Sequence, residues 1–262
     1  MLDISEKLFT TFNEVIYYDV PHKYYLGDKE LVSATTLIHK YQEPFNEDYW
    51  STMKALEFGL TRQEVLNCWK FINVKGTMKG SIIHDYTENI FLNKVFYYPK
   101  DLVVKEFGFD PVWNEYLITK NHVDTFKKDC TGKLIPIRTE LIVYDKDSLV
   151  GGMMDMIFFN IKAGEYQVWD WKTNKDFTFE NRFQKLKNEF EYLDDCDFNI
   201  YSLQLSLYRY IIEKHTGIKL GKSYVTWFSH NNEKYEIIEM ADRRSEIEIM
   251  LNKRKNTLFS NN

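Results

Sequence analysis

Aromatic and polar positions interleave along the opening segment EVIYYDVPHKYYLGDKELV, on either side of Gly27-Asp28. This pattern predicts a β-hairpin at the start of the fold. Ser33 follows as a candidate N-cap, and helical spacing runs through Leu37, Ile38 and Tyr41. It resumes from Thr61 to Phe71, where Thr61 and Glu64 have the spacing of a capping box. A further helix is expected to begin near Gly80-Ser81, with Ile83, Tyr86 and Ile90 on one apolar stripe and His84 and Glu88 one turn apart beside it. Between Val95 and Pro136 neither the helical nor the strand period holds, and the segment reads as irregular.

Three strand-like runs follow, Ile137 to Tyr144, Met153 to Phe159 and Tyr166 to Trp171, separated by the turn sequences DKDS and KAGE. They predict a three-strand meander. A long helix from about Ile200 to His215 stops at Gly217, and SYVTWF reads as another strand. From His84 onward the expected order is α, β, β, β, α, β, with a last strand and helix in residues 231–262. No repeat, low-complexity tract or Pro/Ser-rich linker divides the 262 residues. One domain is therefore expected, with residues 1–75 forming the hairpin and a helical region around a core in residues 76–230.

Composition supports a folded chain: 44% of residues are hydrophobic and 16% aromatic, with only 11 Gly and 5 Pro. The 34 Lys and Arg against 39 Asp and Glu leave a net charge of -5, which excludes binding to nucleic acid by bulk charge alone. A locally acidic site neutralised by a divalent metal stays compatible with it. Cys68, Cys130 and Cys196 are isolated, with no C-x-x-C pair, and fit a reducing compartment. The N-terminus lacks an apolar signal region and no uninterrupted apolar span of membrane length occurs, so an intracellular, cytoplasmic protein without a membrane partner is expected. The richness in Lys, Asn, Ile, Tyr and Phe suggests an AT-rich genome, such as that of a phage or a low-GC bacterium.

Alternation on the strand YQVWDWK puts Tyr166, Val168, Asp170 and Lys172 on one face and Gln167, Trp169 and Trp171 on the other. Asp170 and Lys172 then stand about 6.5 to 7 Å apart at their Cα atoms, close enough to act on one phosphate. On the preceding strand Asp155 follows Gly151-Gly152 and shares its face with Met153 and Ile157. A carboxylate inside MMDMIFF is costly to bury unless it is paired or bound to a cation. Two such aspartates on adjacent strands favour a divalent metal, and oxygen ligands suit Mg²⁺ or Mn²⁺. Lys172 would be a fixed cation beside it, a combination suited to phosphodiester hydrolysis. Each piece also has an ordinary structural reading: a salt bridge for Asp170 and Lys172, a shaped hairpin for the glycines, a surface histidine for His84, amphipathic positions for Gln204 and Tyr208.

Taken in order, GSIIHDYTE, ELIVYD, LVGGMMDMIFF, VWDWKTNK and YSLQLSLYRY resemble the PD-(D/E)XK nuclease superfamily, in its RecB-like and mitochondrial genome maintenance exonuclease-like branch. The resemblance spans roughly residues 76 to 230. It implies a restriction-endonuclease-like α/β (α+β) core, a central mixed sheet flanked by helices in the order αβββαβ. It also implies Asp155, Asp170 and His84 as metal ligands, joined by the backbone carbonyl of Trp171, Lys172 as the catalytic lysine, and Glu140 as the first acidic position. Gln204 and Tyr208 match the Q-x-x-x-Y element that contacts DNA phosphate, and Thr173 and Lys175 of the D-x-K-T segment are counted with them. An iron-sulfur cluster is not expected, because the four cysteines that hold it in some members are missing, and no Walker A motif marks a helicase motor.

The function these features imply is a Mg²⁺- or Mn²⁺-dependent DNA exonuclease acting on single-stranded or end-exposed DNA in replication, recombination or repair, with a protein partner of those processes. A structure-specific or nicking endonuclease, or a catalytically silent nucleic-acid-binding module, are the alternatives. Basic residues at Lys120, Lys127, Lys128, Lys133 and Arg138, and between Lys172 and Lys187, are expected to wall a strand groove, with Phe177, Phe179 and Phe183 available to stack on bases. The sequence leaves the oligomeric state open.

Overall fold

The computed structural model of the chain describes residues 2–18, 20 and 23–260. Helix α1 (Leu2–Thr11) leads into β1 (Val15–Tyr18), β2 (Lys23–Leu26) and β3 (Lys29–Ser33), so the predicted hairpin becomes three antiparallel strands with its turn at Gly27-Asp28. Asp19, Pro21 and His22 of that segment lie outside the described residues. Ser33 caps α2 (Ala34–His39), its Oγ accepting the Thr36 N–H at 3.1 Å.

Helix α3 (Glu47–Phe58) precedes α4 (Arg62–Phe91), which starts at the predicted capping box: Thr61 Oγ1 accepts the Glu64 N–H, and Glu64 accepts the Thr61 N–H at 2.7 Å. The expected helix start near Gly80-Ser81 is not found. Instead α4 runs for 30 residues through Gly76 and Gly80. Each interior glycine costs about 1 kcal/mol of helix propensity, and the burial of Ile82, Ile83, Tyr86 and Phe91 offsets it. The stretch from Val95 to Pro136 is largely helical rather than irregular, holding α5 (Lys100–Phe107) and α6 (Trp113–Cys130). Thr119 and His122 sit on the buried stripe of α6 with Tyr116, Val123, Phe126 and Cys130, and these polar members hide its apolar period.

The meander forms as predicted, with β4 (Leu134–Asp145), β5 (Val150–Asn160) and β6 (Glu165–Lys172) extending past their expected ends. Helix α7 (Asp197–Thr216) stops at Gly217, whose φ of 69° is left-handed. Then come β7 (Leu220–Trp227), β8 (Glu236–Met240) and α8 (Arg244–Ser260).

The sheet has eight strands and is mixed. Its path runs β1-β2-β3-β5-β6-β7-β8, with β4 pairing β5 off that path. Strand β4 is antiparallel to β5 from end to end. The other edge of β5 is divided: Val150 and Gly151 pair with β3 in parallel, and Met156 to Asn160 pair with β6 antiparallel. Helices cover both faces. One hydrophobic cluster joins Leu8, Leu37, Leu203, Leu207 and Met250 from α1, α2, α7 and α8. The other joins Ile83, Val103 and Phe126 from α4, α5 and α6 to Trp169 and Trp171. The architecture is thus mixed α/β, a central mixed sheet between helical layers, with α5 and α6 inserted into the expected αβββαβ order. Among the described residues no helix is long and apolar enough to cross a membrane.

Alternation holds on β6, where Val168 enters the first cluster and Trp169 and Trp171 the second. It breaks on β5. Met154 and Ile157 both join the first cluster while Met156 and Phe158 join the second, so the face expected to be shared by Met153, Asp155 and Ile157 is interrupted at Asp155. The register of β4 sets Glu140 opposite Asp155, and Glu140 has a left-handed φ of 45°. A residue in that conformation bends a strand and re-aims its neighbours.

Gly152 allows α7 to approach β5. A Cβ there would lie 2.9 Å from Tyr208 Cε1 and 3.0 Å from its hydroxyl. Gly152→Ala is therefore expected to destabilise the protein by about 1–3 kcal/mol, lowering the unfolding midpoint by about 2–4 °C per kcal/mol. Thermal denaturation followed by circular dichroism checks this, and an unchanged midpoint would contradict the close approach.

Candidate metal centre

Strands β5 and β6 separate beyond the Met156–Trp169 pair. Asp155 is the next residue of β5, and its carboxylate fills the opening: Oδ2 accepts the Trp171 N–H at 2.7 Å. His84 approaches from α4, with Nδ1 3.4 Å from Asp155 Oδ1 and Nε2 3.0 Å from the Trp171 carbonyl. His84, Glu140 and Asp155 each offer a donor atom, and the three atoms lie within 4.8 Å of one another. Elements distant in sequence supply them: a helix, an outer strand and the branching strand.

These groups set one another's protonation. Burial works against a charged imidazole, but Asp155 and, further off, Asp170 outweigh it and raise His84 to about 9. Burial, with Asp155 adding its negative charge, pushes Glu140 up to about 8. Asp155 moves the other way: burial opposes its charge, yet His84, Lys172 and the Trp171 N–H hold it below the ordinary carboxylate range. The three groups titrate together: their neighbours favour a proton on His84 and on Glu140 and the ionised form of Asp155.

Asp170 and Lys172 share a face of β6, as expected, with Lys172 Nζ 2.5 Å from Asp170 Oδ2. Burial disfavours the ammonium, but Asp170 outweighs it and raises the lysine. Asp170 is 2% exposed, and that burial lifts it to about 6 even though Lys172 relieves part of the effect. From α7, Gln204 Oε1 lies 3.5 Å from Lys172 Nζ, Gln204 Nε2 donates to the Tyr208 hydroxyl at 3.1 Å, and the Tyr201 ring centroid is 4.5 Å from the ammonium. Tyr201 was not singled out in the sequence, although residues 201, 204 and 208 mark one stripe of a helix.

A divalent cation fits this donor set. Glu140 and Asp155 are two close carboxylates, and burial and the Asp155 charge both raise Glu140, so added positive charge is favoured there. Asp170 Oδ2 is buried and accepts no well-directed hydrogen bond despite its ion pair. Carboxylate oxygens with one imidazole suit Mn²⁺ and, with fewer nitrogen donors, Mg²⁺. Asp170 stands beside the group of three rather than within it, and the Trp171 carbonyl faces His84.

Two clefts meet at this point. One, of about 600 Å³, is lined by His84, Glu140, Asp155, Asp170, Lys172, Gln204 and Tyr208. The other, of about 780 Å³, also reaches His84 and Lys172 and is lined by Lys75, Lys79, Glu115, Thr173, Lys175 and His230. The loop after β6 that carries Thr173 and Lys175 is pinned by Trp227 Nε1 on the Asn174 carbonyl and Ser229 Oγ on the Lys175 carbonyl.

None of the basic residues from Lys120 to Arg138 lines either cleft. Three of them are engaged within the fold: Lys120 pairs with Asp124, Lys127 donates to the Ile90 carbonyl, and Arg138 of β4 lies over the Phe9 ring. In the second predicted wall, Lys185 pairs with Asp194 and Arg182 with Glu180. Phe177 is buried against Tyr201 and Trp227 rather than free to stack on a base, while Phe179 and Phe183 are exposed.

No family model and no curated protein matches the chain. Among solved structures, a protein of Eubacterium rectale provisionally named an exonuclease is similar at 13% identity over 70% of this chain and 68% of that one, with a TM-score of 0.41. The protein SSO0001 is similar at 12% identity over 71% of this chain and 88% of that one, with a TM-score of 0.28.

The Glu140 carboxyl gives a test of the site without any reaction. Its value rises from 4.5 to about 8 on folding, so it subtracts stability progressively as the pH rises from about 4.5 to 8. Glu140→Gln is expected to unfold at the same temperature as wild type near pH 4 and several degrees higher at pH 8, both in chelator. Mn²⁺ at pH 8 should raise the midpoint of wild type more than that of the variant. Scanning calorimetry reads both effects, and identical pH profiles for the two proteins would refute the burial of this charge.

Proposed function

We propose that the chain is a divalent-metal-dependent deoxyribonuclease of the PD-(D/E)XK type, in its RecB-like branch, working as an intracellular exonuclease on single-stranded or free-ended DNA in replication, recombination or repair. The whole chain serves as one nuclease domain around a core in residues 76–230. The observation that carries this reading is the convergence of His84, Glu140 and Asp155 at the parting of β5 and β6, with Lys172 held over the same cleft.

Asp155, Glu140 and His84 would hold a Mg²⁺ or Mn²⁺ ion, with Asp170 and the Trp171 carbonyl beside them. When bound, the ion supplies Lewis acidity for the attacking water and the leaving oxygen. The chain's own groups do the rest. Lys172 remains an ammonium at working pH and offers its charge to the phosphate as negative charge develops there. Asp170, Gln204 and the Tyr201 ring fix the position of that ammonium, so little reorganisation accompanies the reaction. Tyr208 holds the Gln204 amide and, with Gln204, Thr173 and Lys175, lies where a strand crossing the two clefts would pass.

End-labelled linear DNA and circular single-stranded DNA, incubated with Mg²⁺, Mn²⁺ or chelator, test the reading. The expected result is metal-dependent shortening of the linear strand with the circle intact. Lys172→Ala and Asp170→Ala are each expected to slow cleavage by about 10²–10³-fold. Tyr201→Leu, which removes a cation–π contact of about 0.5–2 kcal/mol, should slow it by several-fold. Absence of metal-dependent cleavage, or full activity in both alanine variants, would overturn the assignment, and cleavage of the circle would overturn the exonuclease mode.

Metal affinity should depend on pH in a defined direction. A cation needs Glu140 and His84 without the protons they carry up to about 8 and about 9. Calorimetric titration with Mn²⁺ is expected to show tighter binding at about pH 9 than at pH 6, with protons released to the buffer at the lower pH. Equal affinity and no proton release would contradict the ligand set.

A further inference from the structure

The two clefts carry opposite charge. Asp85, Asp155 and Asp170 make the first acidic, against His84 and Lys172. The second has Lys75, Lys79, Lys172, Lys175 and two histidines against one carboxylate, Glu115. Lys79 is 4% exposed, an unusual place for a lysine, with Nζ 3.3 Å from Glu115 Oε2 and 3.1 Å from His230 Nδ1. Lys75, one turn earlier on α4, has its ammonium 2.5 Å from Glu115 Oε1. His230 Nδ1 is itself 3.5 Å from Glu115 Oε2.

One carboxylate is thus shared by two ammonium groups, beside an imidazole whose charged form burial and Lys79 both disfavour. Burial and the neighbouring Lys75 both act against the charge of Lys79, and Glu115 offsets them only in part. A closed structural ion pair would match charges one to one in a filled interior. Here the excess is positive, it borders open space, and that space continues to Lys172 and His84. A second anion would complete the arrangement.

We propose that the second cleft is a phosphate-binding site, in which Lys79, Lys75 and His230 receive a phosphate of the nucleic-acid strand next to the one presented to Lys172. The identity of the strand rests on the nuclease reading above, whereas the demand for an anion rests on the charges in the cleft. The phosphate is a terminal monoester or an internal diester, and these share the chemistry that the two ammonium groups recognise.

Binding in chelator, where nothing is cleaved, tests this directly. Fluorescence anisotropy is measured for labelled oligothymidylates of one length carrying a 5′-phosphate, a 3′-phosphate or neither, across a range of salt. The proteins are wild type, Lys79→Met, Lys75→Ala, and Lys162→Ala as an exposed lysine outside both clefts, in the turn at the far end of β5 and β6. Lys75 lies nearer the surface than Lys79, so Lys75→Ala gives the answer should Lys79→Met not fold.

Lys79→Met and Lys75→Ala are expected to bind about tenfold more weakly, with a log–log salt slope shallower by about 0.7 for each lost phosphate contact. Lys162→Ala should match wild type. Weakening confined to one end-phosphorylated strand assigns a terminal monoester, and equal weakening on all three assigns an internal diester. Wild-type binding by both cleft variants, an equal loss in Lys162→Ala, or no binding by wild type overturns the inference. If the cleft variants bind like wild type while wild type cleaves DNA with metal, the inference fails and the nuclease reading stands. If they weaken while wild type cleaves nothing, the nuclease reading fails and the phosphate site stands.

Discussion

The hydrogen bond from the Trp171 backbone N–H to the Asp155 carboxylate is the interaction on which the rest of this site depends. A strand leaving its neighbour exposes backbone donors and acceptors that cannot remain unsatisfied in a protein interior. Here β6 stays paired with β7 as far as Lys172 while it peels away from β5 at Met156. Side chains take over the lost ladder: Asp155 meets the Trp171 N–H, His84 meets the Trp171 carbonyl, and Tyr24 hydrogen-bonds the Met153 backbone on the opposite strand. The branch in the sheet and the collection of polar groups are one feature. Without the branch, a carboxylate at position 155 would have no backbone donor to receive and no reason to be buried.

Strain and charge are both concentrated there. Glu140 adopts a left-handed backbone that a non-glycine residue avoids, at a cost of about 1–3 kcal/mol. It does so opposite Asp155, where its carboxyl adds to a buried negative charge. Neither arrangement helps the protein fold, and both are supported by the packing of α4 and α7 on the two faces of the sheet. On the α7 side, Lys172 is held by an ion pair, an amide oxygen and an aromatic ring at once, which leaves its four-carbon stem little freedom.

The parts of this arrangement that follow a local rule were legible in the sequence. The three-strand meander, the capping box at Thr61, the stop at Gly217 and the shared face of Asp170 and Lys172 depend on period, turn chemistry and capping, and all are found. The helices of the inserted segment were not legible, because Thr119 and His122 occupy buried positions in α6 that an apolar template rejects. Nor was the break in alternation at Asp155, where β6 parts from β5 and Glu140 stands opposite with a left-handed φ. His84, Glu140 and Asp155 could be put in order by resemblance, yet their approach to within 4.8 Å is a property of the branch and of the helix that crosses it. Nor were the partners of the basic residues legible: a count along the chain treats Lys127 as available, whereas in the fold its ammonium is bound to the Ile90 carbonyl.

Helix α4 spans about 45 Å at the usual rise per residue, and its 30 residues are continuous where two shorter pieces were expected. Lys75 and Lys79 project from its middle and His84 from little more than one turn further on. The acidic and the basic cleft therefore hang from one rigid rod. Any sliding or rolling of that rod changes both spacings together, so the distance between the His84 and Lys79 attachment points works as a fixed ruler, about 7.5 Å along the axis, whose length no movement of the surrounding loops can reset.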